Sequence, residues 1–367
     1  MYRERVISLI ICLSMLFTLC GCASNFRMND VPETSAILPS VVSSEENPAQ
    51  TVVDASGRSL AVPEHDNVTI ASVYAVAVPF IVALELSENV AAINYKSKFW
   101  PDNVPGLAQA GSVGRGLVDL EKLADYHPDV LIHRVRDTKT IDAVETLDIP
   151  VMTISAENID EIFYSIDLIG RYCHAEQRAG EVKKWMNGKF EKIARIVNEI
   201  PEAEKPGAVV FGGELGVIAG GDMLQSMMLE KAGAVSLTSE MSGGNTGGEI
   251  ASAWANIGVE KIFEMDPDVI FCTSSFPLDY TIDEILENPV WSELKAVKSG
   301  QVWIIPAKLD SWDLPGVSCP LGIMWMLHKM YPGHLSAEEL KAEIDDYYMF
   351  MFGKTFDLDY LGYDLDA

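Results

Sequence analysis

The chain has few basic residues for its length. It carries 27 Lys and Arg against 54 Asp and Glu among 367 residues, which gives a formal net charge of -27. Because surfaces that bind nucleic acid need clustered cations, this balance excludes nucleic acid as a partner. Long apolar runs are also lacking: beyond residues 6–19, no stretch offers the roughly 20 apolar residues that cross a bilayer.

Cysteine and histidine are equally scarce, with six of each. Beyond the N-terminal segment only Cys173, Cys272 and Cys319 remain, and so small and odd a set predicts neither a disulfide framework nor a zinc site. We expect these three side chains to be buried as apolar groups, with at most one bridge. A site for bare zinc or manganese would need converging histidines and carboxylates, and six scattered histidines do not favour it.

Local signatures of catalysis are missing as well. The sequence contains no Gly-x-Ser-x-Gly, Walker or His-Glu-x-x-His motif, which are typical of nucleophilic, phosphoryl-transfer and zinc-protease chemistry. Two glycine-rich strings, at residues 211–214 and 242–248, lack the spacing of a nucleotide fingerprint and predict turns from a strand into a helix. We therefore expect a binding protein without a cofactor rather than an enzyme.

The N-terminus predicts export. Arg3 and Arg5 precede the short apolar run Val6–Leu19, and this order is typical of a secretion signal rather than of a membrane span. We expect a signal peptide over residues 1–22.

A cysteine follows the apolar run at the position where bacterial lipoproteins are acylated. Leu19 lies three residues before Cys22 and Gly21 directly before it, which resembles the lipobox of that class. Cys20 fits this pattern less well, and an ordinary secretion signal with incidental cysteines is the alternative. We expect Cys22 to carry the lipid and residues 23–50, rich in Ser, Pro, Glu and Asn, to form a flexible tether.

A unit of thirteen residues occurs twice in the body of the chain. Leu120–Ile132 and Val259–Phe271 share their apolar positions, a Glu-Lys pair and a Pro-Asp-Val sequence. In each copy the pattern predicts a short helix that stops at the proline, followed by a buried strand. Further strands, separated by helical stretches, are predicted on either side of these units, at Val68–Val73, Val90–Asn94, Val151–Ile154, Ala208–Phe211, Val217–Ala219 and Gln301–Pro306.

The repeat indicates an α/β protein of two similar lobes, over residues 51–175 and 201–367, each with a mainly parallel sheet. Between them, residues 176–200 have apolar side chains at helical spacing and predict one long helix that braces the lobes. A later helix is predicted to begin at Ser336, where Glu339 completes a capping-box pattern.

With these features the chain resembles the substrate-binding lipoproteins of ABC importers for ferric siderophores, haem and cobalamin. The resemblance runs from about Val52 to Phe356. It is carried by the order and spacing of five segments: Val53–Arg58, Leu120–Ile132, Val259–Phe271, Ser311–Pro315 and Leu321–Trp325.

The resemblance implies two Rossmann-like lobes joined by a single rigid helix, with the ligand in the cleft between them. It also implies a receptor that is held by its lipid outside the cytoplasmic membrane, at its outer face or in the periplasm, and that delivers an iron complex to an ABC permease. We expect a monomer. In the family each lobe presents a glutamate to arginines of the permease, and the matching residues are Glu121 and Glu260. The alternative is that both are exposed helix carboxylates without a partner.

Basic residues cluster after the predicted strands of the first lobe, where α/β clefts bind ligands. We expect these cations to focus a positive field on an anionic ligand, although ordinary solvated side chains are the alternative for each one. Aromatic rings in the same loops would complete the pocket, or would pack in the core instead. The cations are Lys96, Lys98, Arg115, Arg134 and Arg136, and the aromatic residues are Tyr74, Trp100 and Trp312, of which Trp312 is expected in an exposed loop.

Among the histidines, His133 stands out because it lies at the end of a predicted strand. It would be an axial haem ligand or an uncoordinated lining residue, whereas His127 and His174 are expected at the surface. The ligand that we expect first is a ferric siderophore, and haem or a corrinoid is the alternative within the family. The sequence does not separate these complexes.

Overall fold

The computed structural model describes residues 50–94, 99–114, 117–241, 254–273, 275, 277–306, 311–361 and 363. The predicted signal peptide and nearly all of the tether, with Cys22, lie outside these residues. So do Lys96, Lys98 and Arg115, and the glycine string at residues 242–248.

Short strands and helices alternate through the described residues. The strands are β1 (Thr51–Val53), β2 (Ser59–Ala61), β3 (Ile70–Ser72), β4 (Val90–Ile93), β5 (Gly111–Ser112), β6 (Val130–Arg134), β7 (Val151–Ile154), β8 (Gly207–Phe211), β9 (Val217–Ala219), β10 (Val235–Ser236), β11 (Trp254–Asn256), β12 (Val269–Cys272) and β13 (Val302–Ile304). The helices are α1 (Ala77–Ala83), α2 (Phe99–Asn103), α3 (Leu120–Tyr126), α4 (Thr138–Glu145), α5 (Ile159–Tyr172), α6 (Glu176–Val197), α7 (Leu224–Lys231), α8 (Gly258–Met265), α9 (Ile282–Leu286), α10 (Lys295–Lys298), α11 (Cys319–Met330), α12 (Ala337–Phe352) and α13 (Leu358–Leu361).

The first lobe is built on a five-stranded parallel sheet with the order β5-β4-β3-β6-β7. Every residue of β3 and β7 is buried, as expected for strands that helices cover on both faces. The strands predicted from apolar runs agree with the observed ones to within two residues at each end.

The second lobe has a mixed sheet with the order β11-β9-β8-β12-β13, and β10 pairs in parallel with β8. Here β9 runs antiparallel to β8, so the glycine string at residues 211–214 connects two strands. The prediction of a strand-to-helix turn is therefore wrong at this string. The amide of Gly212 donates to the carbonyl of Val217 at 2.7 Å, and a Cβ on Gly212 would lie 2.9 Å from the side chain of Val217.

The repeated unit forms the same helix-to-strand connection in both lobes. Helices α3 and α8 end in left-handed residues, His127 with φ of 46° and Asp266 with φ of 42°, and a proline follows each of them. This conformation stops the helix and turns the chain into β6 or β12.

The aspartate of the repeated Pro-Asp pair has the same structural role in both lobes, and this shared role explains why the pair recurs. The carboxylate of Asp129 accepts from the amide of Thr69 at 2.7 Å, just before β3, and Asp268 accepts from the amide of Gly207 at 2.8 Å, at the start of β8. Each aspartate thus satisfies a backbone donor where a neighbouring central strand begins.

One helix and one apolar core join the two lobes. Helix α6 has 22 residues and ends at Val197, three residues earlier than predicted. The largest apolar cluster contains Phe80 and Ile132 of the first lobe, Met186 of α6, and Phe271 and Trp325 of the second lobe. The fold is thus two α/β lobes braced by a single long helix. The proposed lobe limits in the sequence stay a prediction.

The three cysteines beyond the N-terminal segment are buried, as predicted. Cys173, Cys272 and Cys319 are free thiols, and burial raises the pKa of each to about 12. Within the described ranges, no helix is both long and apolar enough to cross a membrane.

A hairpin of β1 and β2 is held to the first lobe by one buried carboxylate. Asp54, only 2% exposed, accepts from Arg58 Nη2 at 2.7 Å and Nε at 3.0 Å, and from the amide of Thr153 on β7 at 3.1 Å. Burial alone would raise the pKa of Asp54, but these hydrogen bonds outweigh it and hold the pKa below its ordinary value.

We expect Asp54→Asn to lower the free energy of unfolding by about 2 kcal/mol at neutral pH, because it breaks the charge-assisted hydrogen bonds of a buried carboxylate, while Arg58 keeps Glu145 and the carbonyl of Val151 as acceptors. Urea denaturation measures this loss, with Asp142→Asn on the exposed face of α4 as the control. The depressed pKa means that the unfolded chain binds this proton first, so the advantage of the native residue should shrink as the pH falls below about 4. An equal loss at all pH values would contradict this account.

Candidate functional site

The carboxyl ends of neighbouring strands in the first lobe bring several polar side chains together. Tyr74 follows β3, His133 and Arg134 end β6, and Glu157 follows β7. Because β3, β6 and β7 are adjacent and parallel, these ends lie side by side at one edge of the sheet. In α/β folds this edge is where ligands bind.

Tyr74 is fixed at this edge through its backbone. Its amide donates to Oγ of Ser72 at 3.1 Å, and the Ser72 hydroxyl donates to the carbonyl of Ile132 at 2.9 Å, which ties the ends of β3 and β6 together. Its ring stands edge-on to the His133 ring at 6.3 Å between centroids. Burial, with a further contribution from Glu157, raises the pKa of Tyr74 above its usual range, so the phenol stays protonated.

One carboxylate organises the end of β6. Oδ2 of Asp137 lies 3.0 Å from Nε2 of His133 and accepts from Nη2 of Arg134 at 3.2 Å, while Oδ1 accepts from the amide of Thr140 and caps α4. Burial would raise the pKa of Asp137, but these hydrogen bonds prevail and hold it at about 2. Asp137 is therefore an anion at any physiological pH.

Burial and the Asp137 carboxylate together determine the protonation state and the tautomer of His133. His133 is 2% exposed, and burial lowers its pKa more than the nearby Asp137 raises it, so the ring is neutral. A neutral ring that faces a carboxylate carries its proton on Nε2, which leaves a lone pair on Nδ1. Nδ1 is buried and has no hydrogen-bond partner among the residues that the structure describes.

Acidic residues of both lobes contribute charge at this edge. The charges of Glu161, of Arg136 and, from the second lobe, of Asp222 act on the pKa of Glu157. Burial is the main cause that raises the pKa of Glu157, and the two acidic neighbours add to it. The predicted positive field is thus offset, since Asp137 pairs with Arg134 and the charge of Arg136 acts on Glu157. Asp222, in the loop between β9 and α7 of the second lobe, thus contributes negative charge to this edge.

Two aromatic residues expected in the pocket are in the core instead. Trp100 is 7% exposed and stacks on Phe352 at 5.6 Å between centroids. Trp312 is fully buried, with Tyr363 4.2 Å from it, so the prediction of an exposed loop is wrong. Both rings are covered because the C-terminal segment packs over them, and neither is open to a ligand in this structure.

The remaining predicted residues divide into four groups. Tyr74, Arg134 and Arg136 lie together at the edge of the sheet, and Arg136 is exposed. Glu121 and Glu260 are exposed in the first turns of α3 and α8, at equivalent positions of the two lobes. Lys96, Lys98 and Arg115 lie outside the described residues. His127 and His174 are exposed, as predicted.

Sequence reasoning missed the acidic half of the site. Glu157 comes three residues after the predicted strand Val151–Ile154, and Asp137 directly precedes a helix that it caps. The strand-end rule that selected the arginines would have found both carboxylates. In the part of the chain that the structure describes, no group of three or more His, Cys, Asp or Glu side chains converges to hold a metal ion.

Two lobes, one bracing helix and a polar edge between the lobes define a two-lobed solute receptor. The chain belongs to the periplasmic binding protein family, whose model matches residues 70–309.

Individual relatives are distant. The molybdate-binding protein MolA of Haemophilus influenzae is 20% identical over 327 residues, which cover 81% of this chain and 89% of MolA. Its molybdate-bound structure superposes with a TM-score of 0.70 at 18% identity, over 84% of this chain and 99% of that one. An ABC transporter substrate-binding lipoprotein of Bacillus subtilis, YvrC, is 24% identical over 77% of this chain and 85% of its own. The iron-uptake system-binding protein of the same species is 26% identical, over 58% of this chain and 66% of its own.

We expect nitrogen-15 NMR to show His133 as a neutral ring with its proton on Nε2 at pH 6.5, because burial lowers its pKa and Asp137 accepts the proton. Asp137→Asn should lower the pKa of His133 further, since the favourable charge beside the imidazolium is lost. Asp142→Asn, an exposed change on the same helix, should leave the spectrum unchanged. A protonated ring, or a proton on Nδ1, would contradict this assignment.

Proposed function

We propose that the chain is the extracytoplasmic receptor of an ABC importer, and that it captures an anionic ferric complex, such as a ferric siderophore, for delivery to the permease. It binds and releases its ligand without covalent chemistry and acts as a monomer. Acylation of Cys22 tethers it to the membrane.

The observation that carries this proposal is the presence of two arginines, Arg134 and Arg136, where β6 ends at the carboxyl edge of the first-lobe sheet. Arg134 is about one-third exposed and Arg136 is exposed, so both can reach a ligand between the lobes. A guanidinium fork matches a pair of anionic oxygens, as in a catecholate, hydroxamate or carboxylate chelate. Lys96 and Arg115, which the structure does not describe, belong to the same proposal.

The carboxylates at this edge favour a ligand that also carries hydrogen-bond donors. Glu157 and Asp222 would repel a bare oxyanion but would accept from amide, hydroxyl or ammonium groups. A ferric siderophore offers both kinds of group around one metal. Molybdate, the ligand of the relative MolA, is a second candidate, and the acidic residues disfavour it.

Haem is the alternative that His133 favours. Its Nδ1 carries a lone pair that no described residue engages, and an imidazole nitrogen is a suitable axial ligand for haem iron. Because His133 is only 2% exposed, haem binding through Nδ1 would require neighbouring groups to move.

We expect Arg134→Ala and Arg136→Ala each to weaken binding of a ferric complex by about ten- to a hundredfold, since a charge-assisted contact contributes roughly 1.5–3 kcal/mol. Titrations followed by tryptophan fluorescence would compare ferric citrate, a ferric catecholate, a ferric hydroxamate, haem, cobalamin and molybdate. The control is Arg195→Ala, at an exposed arginine of α6 that has no charged partner among the described residues.

The outcomes separate the candidates. Tight binding of a ferric complex that depends on both arginines supports the proposal, and the corresponding lysine variants should retain part of the affinity because they keep the charge. Binding of molybdate or cobalamin alone would refute an iron complex as the ligand. Tight binding of a neutral hydroxamate complex that is unchanged in both arginine variants would show that the proposed position of the site, or the proposed negative charge of the ligand, is wrong.

The two exposed glutamates of the repeated unit generate a separate expectation. We expect charge reversal of Glu121 and Glu260 together to abolish uptake in cells while ligand binding by the purified protein stays intact. Charges at the edge of an interface govern orientation and association more than the affinity for a ligand elsewhere. Uptake of the radiolabelled complex and titration of the double variant measure the two effects.

The matched control reverses Glu191 and Glu338, two exposed glutamates on α6 and α12, and should leave uptake near normal. If the Glu121 and Glu260 double variant transports normally, these residues are not the docking contacts.

A further inference from the structure

The chain continues beyond the last long helix of the second lobe and reaches the first lobe. Helix α12 ends at Gly353, a left-handed residue with φ of 66°, and the chain leaves the helix axis there. Residues 353–361 and 363, termed here the C-terminal strap, contain α13 and lie outside the part that the family model matches.

At one end the strap holds α2 of the first lobe. Phe356 lies 6.1 Å from Phe99 between ring centroids, and both contact Phe352 at the end of α12, at 5.7 and 5.5 Å. Hydrogen bonds add to this contact. Nδ2 of Asn103 donates to the Tyr360 hydroxyl at 3.3 Å, and Nζ of Lys354 donates to Oδ1 of Asn103 at 3.2 Å.

At its other end the strap holds residues 311–318 of the second lobe, termed here the Trp312 segment. Tyr363 packs on Trp312 at 4.2 Å between centroids, and its hydroxyl lies 3.5 Å from that of Tyr348 on α12. The amide of Trp312 donates to the carbonyl of Pro306, two residues after the end of β13, so this segment is held close to that strand end.

Both segments lie at the carboxyl edges of their sheets. Helix α2 follows β4 in the first lobe, and the Trp312 segment follows β13 in the second lobe. The two lobes also meet close by, since a Cβ on Gly316 would lie 3.7 Å from the side chain of Pro79 on α1. One aromatic cluster thus joins the segments that border the cleft on its two sides.

From this arrangement we infer that the C-terminal strap couples the two lobes at the cleft: it holds α2 and the Trp312 segment in one fixed register and limits their separation. The strap acts through α2 and Trp312, and its residues are positioning residues. The inference does not depend on the identity of the ligand, so it can fail while the proposed function stands.

Hydrogen exchange of the full chain, read by mass spectrometry without ligand, tests the coupling. Tyr363→Ala, at the second-lobe end, should speed exchange by about tenfold in residues 311–318 and also in α2 at the far end. Phe356→Ala should do the same from the first-lobe end. Strands β7 and β12 should keep their exchange rates in both variants.

Two further variants separate coupling from general loss of stability. Phe263→Ala removes a stacked contact with Trp291 inside the second lobe and should leave α2 unchanged. Tyr363→Phe keeps the ring on Trp312 and should restore native exchange at both ends. If Phe356→Ala does not accumulate as folded protein, Phe356→Leu, which keeps apolar volume but removes the ring contacts, takes its place.

The inference is overturned if Tyr363→Ala speeds exchange in residues 311–318 and leaves α2 at its native rate, because the two ends would then be independent. A uniform increase that includes β7 and β12 would also overturn it, since the strap would then support overall stability and not the register of the lobes.

Discussion

The apolar core that runs through both lobes is the constraint on which the rest of the structure depends. Its side chains come from the inner faces of both sheets and from α6, so neither lobe can swing away without exposing them to water. Interiors packed to this density repack in discrete steps and do not deform smoothly. The cleft edge is therefore held in a nearly fixed shape, and the side chains of the candidate site are in place before any ligand arrives.

The chain has a net charge of -27, and its candidate site carries charges of both signs. Asp137 accepts a hydrogen bond from Arg134, and the charges of Arg136 and Asp222 both act on Glu157. Fixed donors and acceptors of this kind contribute to selectivity, since a ligand that lacks either sign leaves buried polar groups without partners. The same balance limits attraction of unrelated anions at long range.

Features that depend on a few neighbouring residues were predictable from the sequence. The capping box at Ser336 and the buried strands follow from local spacing and agree with the structure. The burial of Trp312 was not predictable, because its polar neighbours indicate a loop and its cover, Tyr363, lies fifty-one residues later. Asp313 next to it is fully buried and is satisfied by Thr273 of the β12 end, a contact that no local pattern encodes.

The three buried thiols have a consequence for how the body of the protein matures. None is bridged, and a thiol with a pKa of about 12 is almost wholly protonated at neutral pH, so attack on a disulfide or oxidant is slow. This protection comes from folding itself, because the same thiols in the unfolded chain are exposed and have the ordinary pKa of about 8.5. An oxidising compartment should therefore favour wrong pairing before the body folds and leave the thiols reduced afterwards.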